Sequence, residues 1–487
     1  MCDCANRVTR RSVVLAGAAS LFLPAVAFAT EADDRTKTIT GRFEPGAPDW
    51  VYLPVEVPRG VREIEVVYRY DKPSVPPGAN GNALDIGIFG PEGHGLGDHR
   101  GFRGWSGGAR DRFTISASDA TPGYLPGPID AGTWHVVLGP YTVAPQGMNY
   151  QVDVTLRFGA PGRPARPNPA PQHAEGRGRA WYRGDCHLHT VHSDGRRTPA
   201  ELVAAARAAG LDFFVSTEHN TSSASLRWGD HARPDLLIIN GEEITTRSGH
   251  WPALGLPPGY WVDWRYRHSE PGAFDRFARR VRSVGGLVVA AHPHCPFVGC
   301  SWEFGYDHVD AIEVWNGDWT QDDEGSVRLW DALLRAGRWV PAIGASDAHR
   351  EPQPVGLPHT VVLADGLDTR AILAGVAAGR SWLAESARVD LAMKAVAGRR
   401  EAGIGDRLRV AEARIELDVS GVPGCEVRLI TPTGVAHTAR VPDSGRTEVR
   451  WTTTAAWVRA EVRRPVPTAT TPDTMVAMTN PVFLGRR

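Results

Sequence analysis

Residues Gly184–Asn220 read GDCHLHTVHSDGRRTPAELVAAARAAGLDFFVSTEHN and carry the pattern of one strand–helix–strand unit. Thr198 is a suitable helix cap, Pro199 fits the first helical turn, and Gly210 fits the end of the helix. The apolar run LDFFVST that follows predicts a buried strand. Apolar runs continue to alternate with helical segments, which predicts an α/β domain with parallel strands over residues 181–386.

Histidines and acidic residues recur at the carboxyl ends of the predicted strands. His187 and His189 stand two residues apart, so on a strand they face the same side. Further clusters follow later apolar runs, and their members are His219, Glu242, Glu243, His250, His292, Glu313, Asn316, Asp347 and His349. In a closed parallel barrel these strand ends meet at one mouth. Imidazole and carboxylate groups are the ligands expected for zinc, manganese or iron, so the sequence predicts a metal-binding site.

The segments on both sides of this domain have a different pattern. Short alternating runs such as VREIEVVYRY, separated by Gly, Pro and Asn clusters, predict an antiparallel β-sandwich over residues 30–158. Residues 159–180 are rich in Pro, Gly and Arg and predict a linker. Alternation returns after Ser386, so residues 387–487 are predicted to form a second β-sandwich.

The N-terminal residues have the pattern of an export signal. Arg10 and Arg11 precede a short apolar run that ends in the small-residue cleavage pattern AFA. This run is shorter than the roughly 20 residues that a membrane-spanning helix needs. We therefore expect a signal peptide over residues 1–29, cleaved after Ala29, and a periplasmic or secreted protein without a membrane span. The arginine pair resembles a twin-arginine signal, and a general secretory signal stays open as the alternative.

The overall charge gives no indication of a polyanionic partner. The chain has 54 basic and 55 acidic side chains and a formal net charge of -1. Such a balance provides no field that would hold nucleic acid, so no nucleic-acid partner is expected. The oligomeric state cannot be read from the sequence.

The cysteines are too few for a disulfide scaffold. After removal of the predicted signal peptide the chain keeps Cys186, Cys295, Cys300 and Cys425. Whether Cys295 and Cys300 form a disulfide stays open, because sequence spacing does not show the required geometry. Cys186 is expected to pack in the core, since on a strand it points away from His187.

The ordered set of polar motifs resembles a known family. The motifs DCHLHTVHSDG, TEHN, GEEIT with GHWPALG, AAHPH, AIEVWNG and GASDAH are similar, in this order, to those of PHP-type metallohydrolases. Within that family the chain resembles the secreted carbaryl-hydrolase-like branch called CehA/McbA, and the residues MTNPVFLG resemble the C-terminal ending of that branch. The resemblance implies an α/β fold with a distorted PHP-type (β/α) barrel, flanked by an N-terminal and a C-terminal β-sandwich.

The same resemblance implies two or three divalent metal ions, of zinc, manganese or iron. The first would be held by His187, His189, Glu243 and Asp347. Glu243 would bridge to a second ion, completed by His250 and His292. Asp194, His219 and His349 would form a third site or, without an ion there, act as proton shuttles. The residues expected to take part in catalysis are His219, Asp194, Asp347 and His349.

The implied chemistry is hydrolysis by a hydroxide that bridges two metal ions. The leading hypothesis for the small-molecule substrate is an ester or carbamate of an aromatic alcohol, because tryptophans flank the metal motifs and few basic residues do. The residues expected to contact this substrate are Trp251, Glu313, Trp315, Asn316 and Arg350.

Two alternatives stay open. A PHP-type phosphodiesterase or phosphatase would use the same metals, and a phosphate contact from Arg350 or Arg247 would favour it. The other alternative is a non-catalytic, metal-containing protein that binds a surface or a polysaccharide. The candidate ligands outnumber the roughly four that a closed structural site needs, which counts against this second alternative.

Overall fold

The structure is a computed structural model that describes residues 34–466 and 473–485. The predicted signal peptide, residues 1–29, lies outside the described residues. Within the described ranges the chain forms 27 strands and four α-helices, so the protein is rich in β-sheet. No helix in these ranges is long and apolar enough to cross a membrane.

The N-terminal segment forms two four-stranded antiparallel sheets. Its strands are β1 (Arg35–Phe43), β2 (Val51–Val57), β3 (Val61–Tyr70), β4 (Ala83–Phe89), β5 (Phe102–Gly107), β6 (Arg112–Ser116), β7 (Gly132–Thr142) and β8 (Met148–Phe158). The strand orders are β1-β8-β3-β6 and β2-β7-β4-β5. Ile64 and Val66 from the first sheet share one buried core with Ile86 and Ile88 from the second, so the sheets pack face to face.

The central segment contributes nine strands to one mixed sheet. They are β9 (Ala180–Asp185), β10 (Phe213–Ser216), β11 (Leu237–Thr246), β12 (Gly249–Leu254), β13 (Leu287–Ala290), β14 (Ala311–Asn316), β15 (Ala342–Ala345), β16 (His359–Ala364) and β17 (Ser381–Ala384). The helices are α1 (Pro199–Ala208), α2 (Ala273–Ser283), α3 (Gln321–Arg335) and α4 (Thr369–Ala377), with two 3-10 turns at Ser223–Leu226 and Trp228–Asp230.

The predicted parallel strands are confirmed for two triplets of this sheet. The strand order is β15-β14-β13-β12-β11-β10-β9-β16-β17. Strands β9, β10 and β11 run parallel, and so do β13, β14 and β15. However, β12 runs antiparallel to both of its neighbours, and β16 runs antiparallel to β9 and β17. The sheet is therefore mixed, where the sequence predicted an all-parallel one.

The predicted first helix is confirmed in its details. The side chain of Thr198 accepts a hydrogen bond from Glu201 N, and the side chain of Glu201 accepts one from Thr198 N, which completes a capping box. Pro199 occupies the first turn, and Gly210 follows the helix with a positive φ of 76°. This φ favours glycine because it has no Cβ to clash. The chain then enters β10 at the predicted place.

The C-terminal segment continues the central sheet and adds a second one. Its strands are β18 (Asp390–Ala397), β19 (Arg400–Gly403), β20 (Arg407–Leu408), β21 (Ala413–Ser420), β22 (Glu426–Thr431), β23 (Gly434–Arg440), β24 (Thr447–Thr453), β25 (Trp457–Arg464), β26 (Thr474–Thr479) and β27 (Val482–Leu484). From β17 the order runs β26-β25-β22-β23, with β27 joined to β25 and β20. The other sheet has the order β19-β18-β21-β24 and shares a core with these strands.

Side chains, and not a strand ladder, join β15 to β16 and to Asn480, which follows β26. In the described part of the chain no strand ladder pairs β15 with β16, so no ladder closes the predicted barrel. Main-chain bonds do link the segments that follow β15 and β9, where Asp347 N donates to His187 O at 3.0 Å. The buried Thr360 hydroxyl accepts from Gly344 N at 3.0 Å and donates to Gly344 O at 2.7 Å. Asn480 accepts from Ala342 N at 2.8 Å and donates to Ala342 O at 3.0 Å. We call this side-chain junction the seam.

Thr360→Val should destabilise the protein, because valine keeps the shape of threonine and removes the hydroxyl that satisfies Gly344. Leaving two buried main-chain groups without partners should lower the free energy of unfolding by about 3 kcal/mol. Urea unfolding followed by circular dichroism measures this change. Thr360→Ser keeps the hydroxyl and serves as the control. Equal stability of the two variants would contradict a structural role for the seam.

Candidate metal centre

The structure brings the nine side chains named from the sequence as metal ligands to one end of the central sheet. Most come from the loops after β9, β10, β13 and β15, and the others lie on β11 and β12. They are His187, His189, Asp194, His219, Glu243, His250, His292, Asp347 and His349. The cluster therefore combines six imidazoles and three carboxylates in one place.

The carboxylate of Glu243 lies at the centre of the cluster and is only 1% exposed. Its two oxygens face different histidines. Oε2 lies 3.2 Å from His187 Nε2 and 2.7 Å from His219 Nδ1. Oε1 lies 3.1 Å from His250 Nδ1 and 3.4 Å from His292 Nε2. This arrangement allows one carboxylate to bridge two metal ions.

The other two carboxylates each face a part of the same cluster. Asp347 Oδ1 lies 2.9 Å from His189 Nε2, on the side of the cluster where Glu243 Oε2 also points. Asp194 Oδ1 lies 3.4 Å from His219 Nε2 and 3.3 Å from His349 Nε2. Asp194 therefore belongs to a second group of possible ligands, with His219 and His349, which shares His189 with the group around Glu243.

The cluster contains buried polar atoms that lack hydrogen-bond partners. Within the described residues these include His187 Nε2, His189 Nε2, Glu243 Oε2, His250 Nε2 and Asp347 Oδ1. Several of them lie close together without the geometry of a hydrogen bond, and burying polar atoms in this way is costly. A divalent cation among them would satisfy nitrogen and oxygen donors together. The residues present therefore fit divalent metal ions.

The carboxylates and imidazoles stabilise each other's charged forms. Burial lowers the pKa of His219, but Glu243 and Asp194 raise it more, so that its pKa is about 10. Burial likewise lowers the pKa of His349, but Asp347 and Asp194 raise it to about 9. Burial raises the pKa of Glu243, yet the surrounding imidazoles, led by His219, hold it well below its ordinary value. Metal ions would take the place of protons on these imidazoles.

Glu313 is buried behind the cluster and contacts possible ligands. Its Oε1 lies 3.1 Å from His187 Nδ1, while its Oε2 accepts from His292 N at 3.0 Å and from Asn316 Nδ2 at 3.0 Å. A carboxylate on the far nitrogen of a ligating imidazole sets the orientation and tautomer of that ring. The structure thus gives Glu313 a positioning role, in place of the substrate contact expected from the sequence.

A β-bulge in β14 decides which of its side chains face the cluster. The pairing of β14 with β15 shifts between Glu313 and Trp315, so Val314 is the extra residue. Glu313 and Asn316 consequently both face the cluster although they are three residues apart, whereas Trp315 is buried in the core. Strand periodicity in the sequence gives no signal for this bulge.

A cavity of about 620 Å³ opens over the cluster, and Asn316 is among its lining residues. Trp251, Trp315 and Arg350 are not among the described residues that line it. Trp251 is fully buried, and its Nε1 donates to Tyr266 Oη at 2.9 Å. Of the substrate contacts expected from the sequence, the structure therefore places only Asn316 at the cavity.

A larger cavity lies elsewhere, between the end of α3 and β27. It has a volume of about 1020 Å³, and its wall includes Trp339, Trp457 and Phe483. Within the described residues no cluster of His, Cys, Asp or Glu with metal-ligand spacing lies in this wall. The candidate chemistry therefore belongs to the smaller cavity.

Cys295 and Cys300 form a disulfide, with their Cα atoms 5.6 Å apart, and both line the cavity over the cluster. The sequence left this pairing open. Pro296 and Phe297, between the two cysteines, also line the cavity and were missed as site residues. Their position directly after the AAHPH motif was the available signal. Cys186 is free and buried in the core, as expected.

Backbone strain is concentrated at the same place. Throughout the described chain, the non-glycine residues with positive φ are Asn220 at 54°, His292 at 25° and Asp347 at 49°. Each such conformation costs on the order of 1–3 kcal/mol and persists only where the surrounding structure enforces it. The fold therefore holds two possible ligands in conformations that their own backbone disfavours.

No protein-family model and no curated protein matches this chain. Among solved structures, a two-domain protein from Bacteroides vulgatus that contains a predicted PHP-like metal-dependent phosphoesterase is 18% identical, with 66% of this chain and 100% of that chain covered and a TM-score of 0.35. An amidohydrolase from Chromobacterium violaceum with bound sulfate and no metal is 20% identical, with 36% and 89% covered and a TM-score of 0.25. These TM-scores are too low to transfer a fold or an activity.

Glu313→Gln should weaken metal binding about 10- to 100-fold, because the His187 ring loses the carboxylate that orients it. Competition with a fluorescent zinc chelator measures the affinity. Asp318→Asn removes a carboxylate from the rim of the same cavity and serves as the matched control. An unchanged affinity in Glu313→Gln, with the fold intact, would contradict the positioning role of Glu313.

Proposed function

We propose that this protein is a metal-dependent hydrolase of the PHP type that cleaves a carboxylic ester or carbamate of an aromatic alcohol. The observation that carries this proposal is the set of unpartnered ligand atoms around Glu243, which lies directly beneath an open cavity of about 620 Å³. A structural metal site would be closed by its ligands, whereas a catalytic site keeps a position open to substrate.

The chain offers ligands for two or three ions. His187, His189, Glu243 and Asp347 would hold the first, Glu243, His250 and His292 the second, and Asp194, His219 and His349 the third. When bound, such ions polarise a substrate oxygen and lower the pKa of water. Glu243 and Asp347 supply negative charge that keeps the ions in place.

The residues at the cavity edge can move protons. Asp194 Oδ1 lies between His219 Nε2 and His349 Nε2, so the carboxylate can stabilise a proton on either ring. Both rings line the cavity and can reach a leaving group there. When no third ion is bound, these two histidines are the proposed proton donors and acceptors of the reaction.

Charge at the cavity favours an ester or carbamate over a phosphoester. No Lys or Arg is found among the described residues that line it, whereas Asp318 and Asp322 are part of the wall. Arg247 packs over the Tyr141 ring at 4.1 Å, and Arg197 pairs with Glu351 at 2.7 Å. Phosphate binding normally relies on Arg or Lys. The described wall thus offers no Lys or Arg for a phosphate.

The apolar side chains that could contact an aromatic alcohol are not the tryptophans expected from the sequence. Trp251 and Trp315 do not line the cavity, so the apolar part of its described wall comes from Pro296, Phe297, Pro354 and Leu357. Phe297 can stack on an aromatic leaving group. The preference for an aromatic alcohol therefore rests on this ring and on the resemblance of the motifs.

We also propose the domain division and the export route that the sequence predicts. The domains would be residues 30–158, 181–386 and 387–487, with a linker over residues 159–180. The exported chain would begin after cleavage at Ala29. N-terminal sequencing of the mature protein from the producing cell checks the cleavage site, and a mature chain that retains residues 1–29 would contradict it.

The zinc- or manganese-loaded protein should release naphthol from 1-naphthyl N-methylcarbamate faster than it releases nitrophenol from bis(4-nitrophenyl) phosphate. Asp347→Asn should lower the carbamate rate by more than about 100-fold, since even changes beside metal ligands cost 10- to 100-fold. Absorbance assays of both products measure these rates.

Asp443→Asn changes an exposed carboxylate that does not line the cavity, so it is the control and should stay close to the rate of the unchanged protein. Faster cleavage of the phosphodiester would favour the PHP-type phosphoesterase. Full carbamate activity in Asp347→Asn would contradict the proposed mechanism.

A further inference from the structure

The loop between Cys295 and Cys300, here called the disulfide loop, forms one wall of the cavity over the metal centre. It begins just after His292, and Cys295 N donates to His292 O at 2.9 Å. The disulfide closes the loop covalently, which limits the conformations open to it. Its geometry is therefore tied directly to a proposed metal ligand.

Contacts outside the loop also hold it in place. Tyr141 Oη, on β7 of the N-terminal sheets, donates to Val298 O at 2.5 Å. Gly249 N, at the start of β12, donates to Gly299 O at 3.0 Å. Two distant parts of the chain thus fix the backbone of the loop, and its side chains project from a rigid support.

Two adjacent apolar side chains on this loop face solvent. Phe297 is 76% exposed and Val298 is 53% exposed. Elsewhere in the described residues the large exposed apolar side chains are Leu96 and Val435, and each stands alone. Single exposed apolar residues are common. Phe297 differs from Leu96 and Val435 because it also lines the cavity, where a bound ligand would cover it.

Another part of the cavity wall has a different chemistry. Asn316, Asp318 and Asp322 line it from the end of β14 and the start of α3. The carboxylates there disfavour an anionic ligand, and the apolar side chains of the disulfide loop favour a neutral one. A substrate with an uncharged apolar group would place that group against Phe297 and its reacting carbonyl toward Glu243.

We propose that Phe297 is a specificity-determining residue that binds the apolar alcohol group of an uncharged ester substrate. This inference rests on the proposed hydrolase function and assigns the substrate side of the same cavity. A Phe ring that a ligand covers on binding contributes to the binding free energy in proportion to the apolar area removed from water. The effect should grow with the size of the alcohol group and vanish for the smallest one.

The test compares 1-naphthyl acetate with methyl acetate in the metal-loaded protein. Phe297→Ala should lower kcat/KM for naphthyl acetate about tenfold, mainly through KM, and leave methyl acetate within about twofold. Phe297→Leu should keep most of the naphthyl activity. Val435→Ala, an exposed apolar residue on β23, is the matched control, and metal content should be unchanged in all variants.

The same variants are tested for equilibrium binding of 1-naphthol by fluorescence, which does not require turnover. Weaker binding in Phe297→Ala than in Val435→Ala is the expected result. If the protein hydrolyses neither ester but Phe297→Ala still binds naphthol more weakly than Val435→Ala, the proposed function is overturned and the assignment of Phe297 to the binding site is supported. The role of Phe297 would be overturned if Phe297→Ala lost the same fraction of kcat/KM on both esters, or if its binding of naphthol were unchanged. It would also be overturned if the only effect of the substitution were weaker binding to phosphatidylcholine vesicles.

Discussion

The buried carboxylate of Glu243, surrounded by imidazoles, is the constraint on which the site depends. A charged group that is 1% exposed needs compensation, because removal of a carboxylate from water costs several kcal/mol. Histidines from four different strands or loops supply that compensation at 2.7–3.5 Å. The fold must therefore bring these chain segments to one point, and the cluster is stable only when protons or metal ions complete its charge balance.

The seam and the backbone strain show how the fold holds these chain segments together around Glu243. Asp347 lies two residues after the end of β15, and that strand is held against β16 by the Thr360 hydroxyl and not by a ladder. Asp185 accepts from Ser346 N at 3.0 Å and from Gly356 N at 2.9 Å, which ties the end of β15 to β9. Specific side-chain bonds thus set the position of a ligand whose own φ of 49° is unfavourable.

The flanking segments contact the site on several sides. From the N-terminal sheets, Arg110 donates to Val191 O in the loop that carries His189, and Tyr141 donates to Val298 O in the disulfide loop. From the C-terminal segment, Asn480 bonds the edge of β15 at Ala342. These contacts give both flanking segments a part in holding the segments that form the cavity and the metal centre.

The sequence by itself determined the ligand types, their strand-end positions and the capped first helix, because period-two alternation, turn residues and capping act over a few neighbouring residues. The sequence did not predict the bulge at Val314. It therefore also did not predict that Glu313 and Asn316 face the cluster while Trp315 packs in the core. Likewise, only the tertiary structure decided that Trp251 packs against the core and that the disulfide loop carries Phe297 to the cavity. These features depend on sheet register and on contacts between distant segments, which local sequence patterns do not encode.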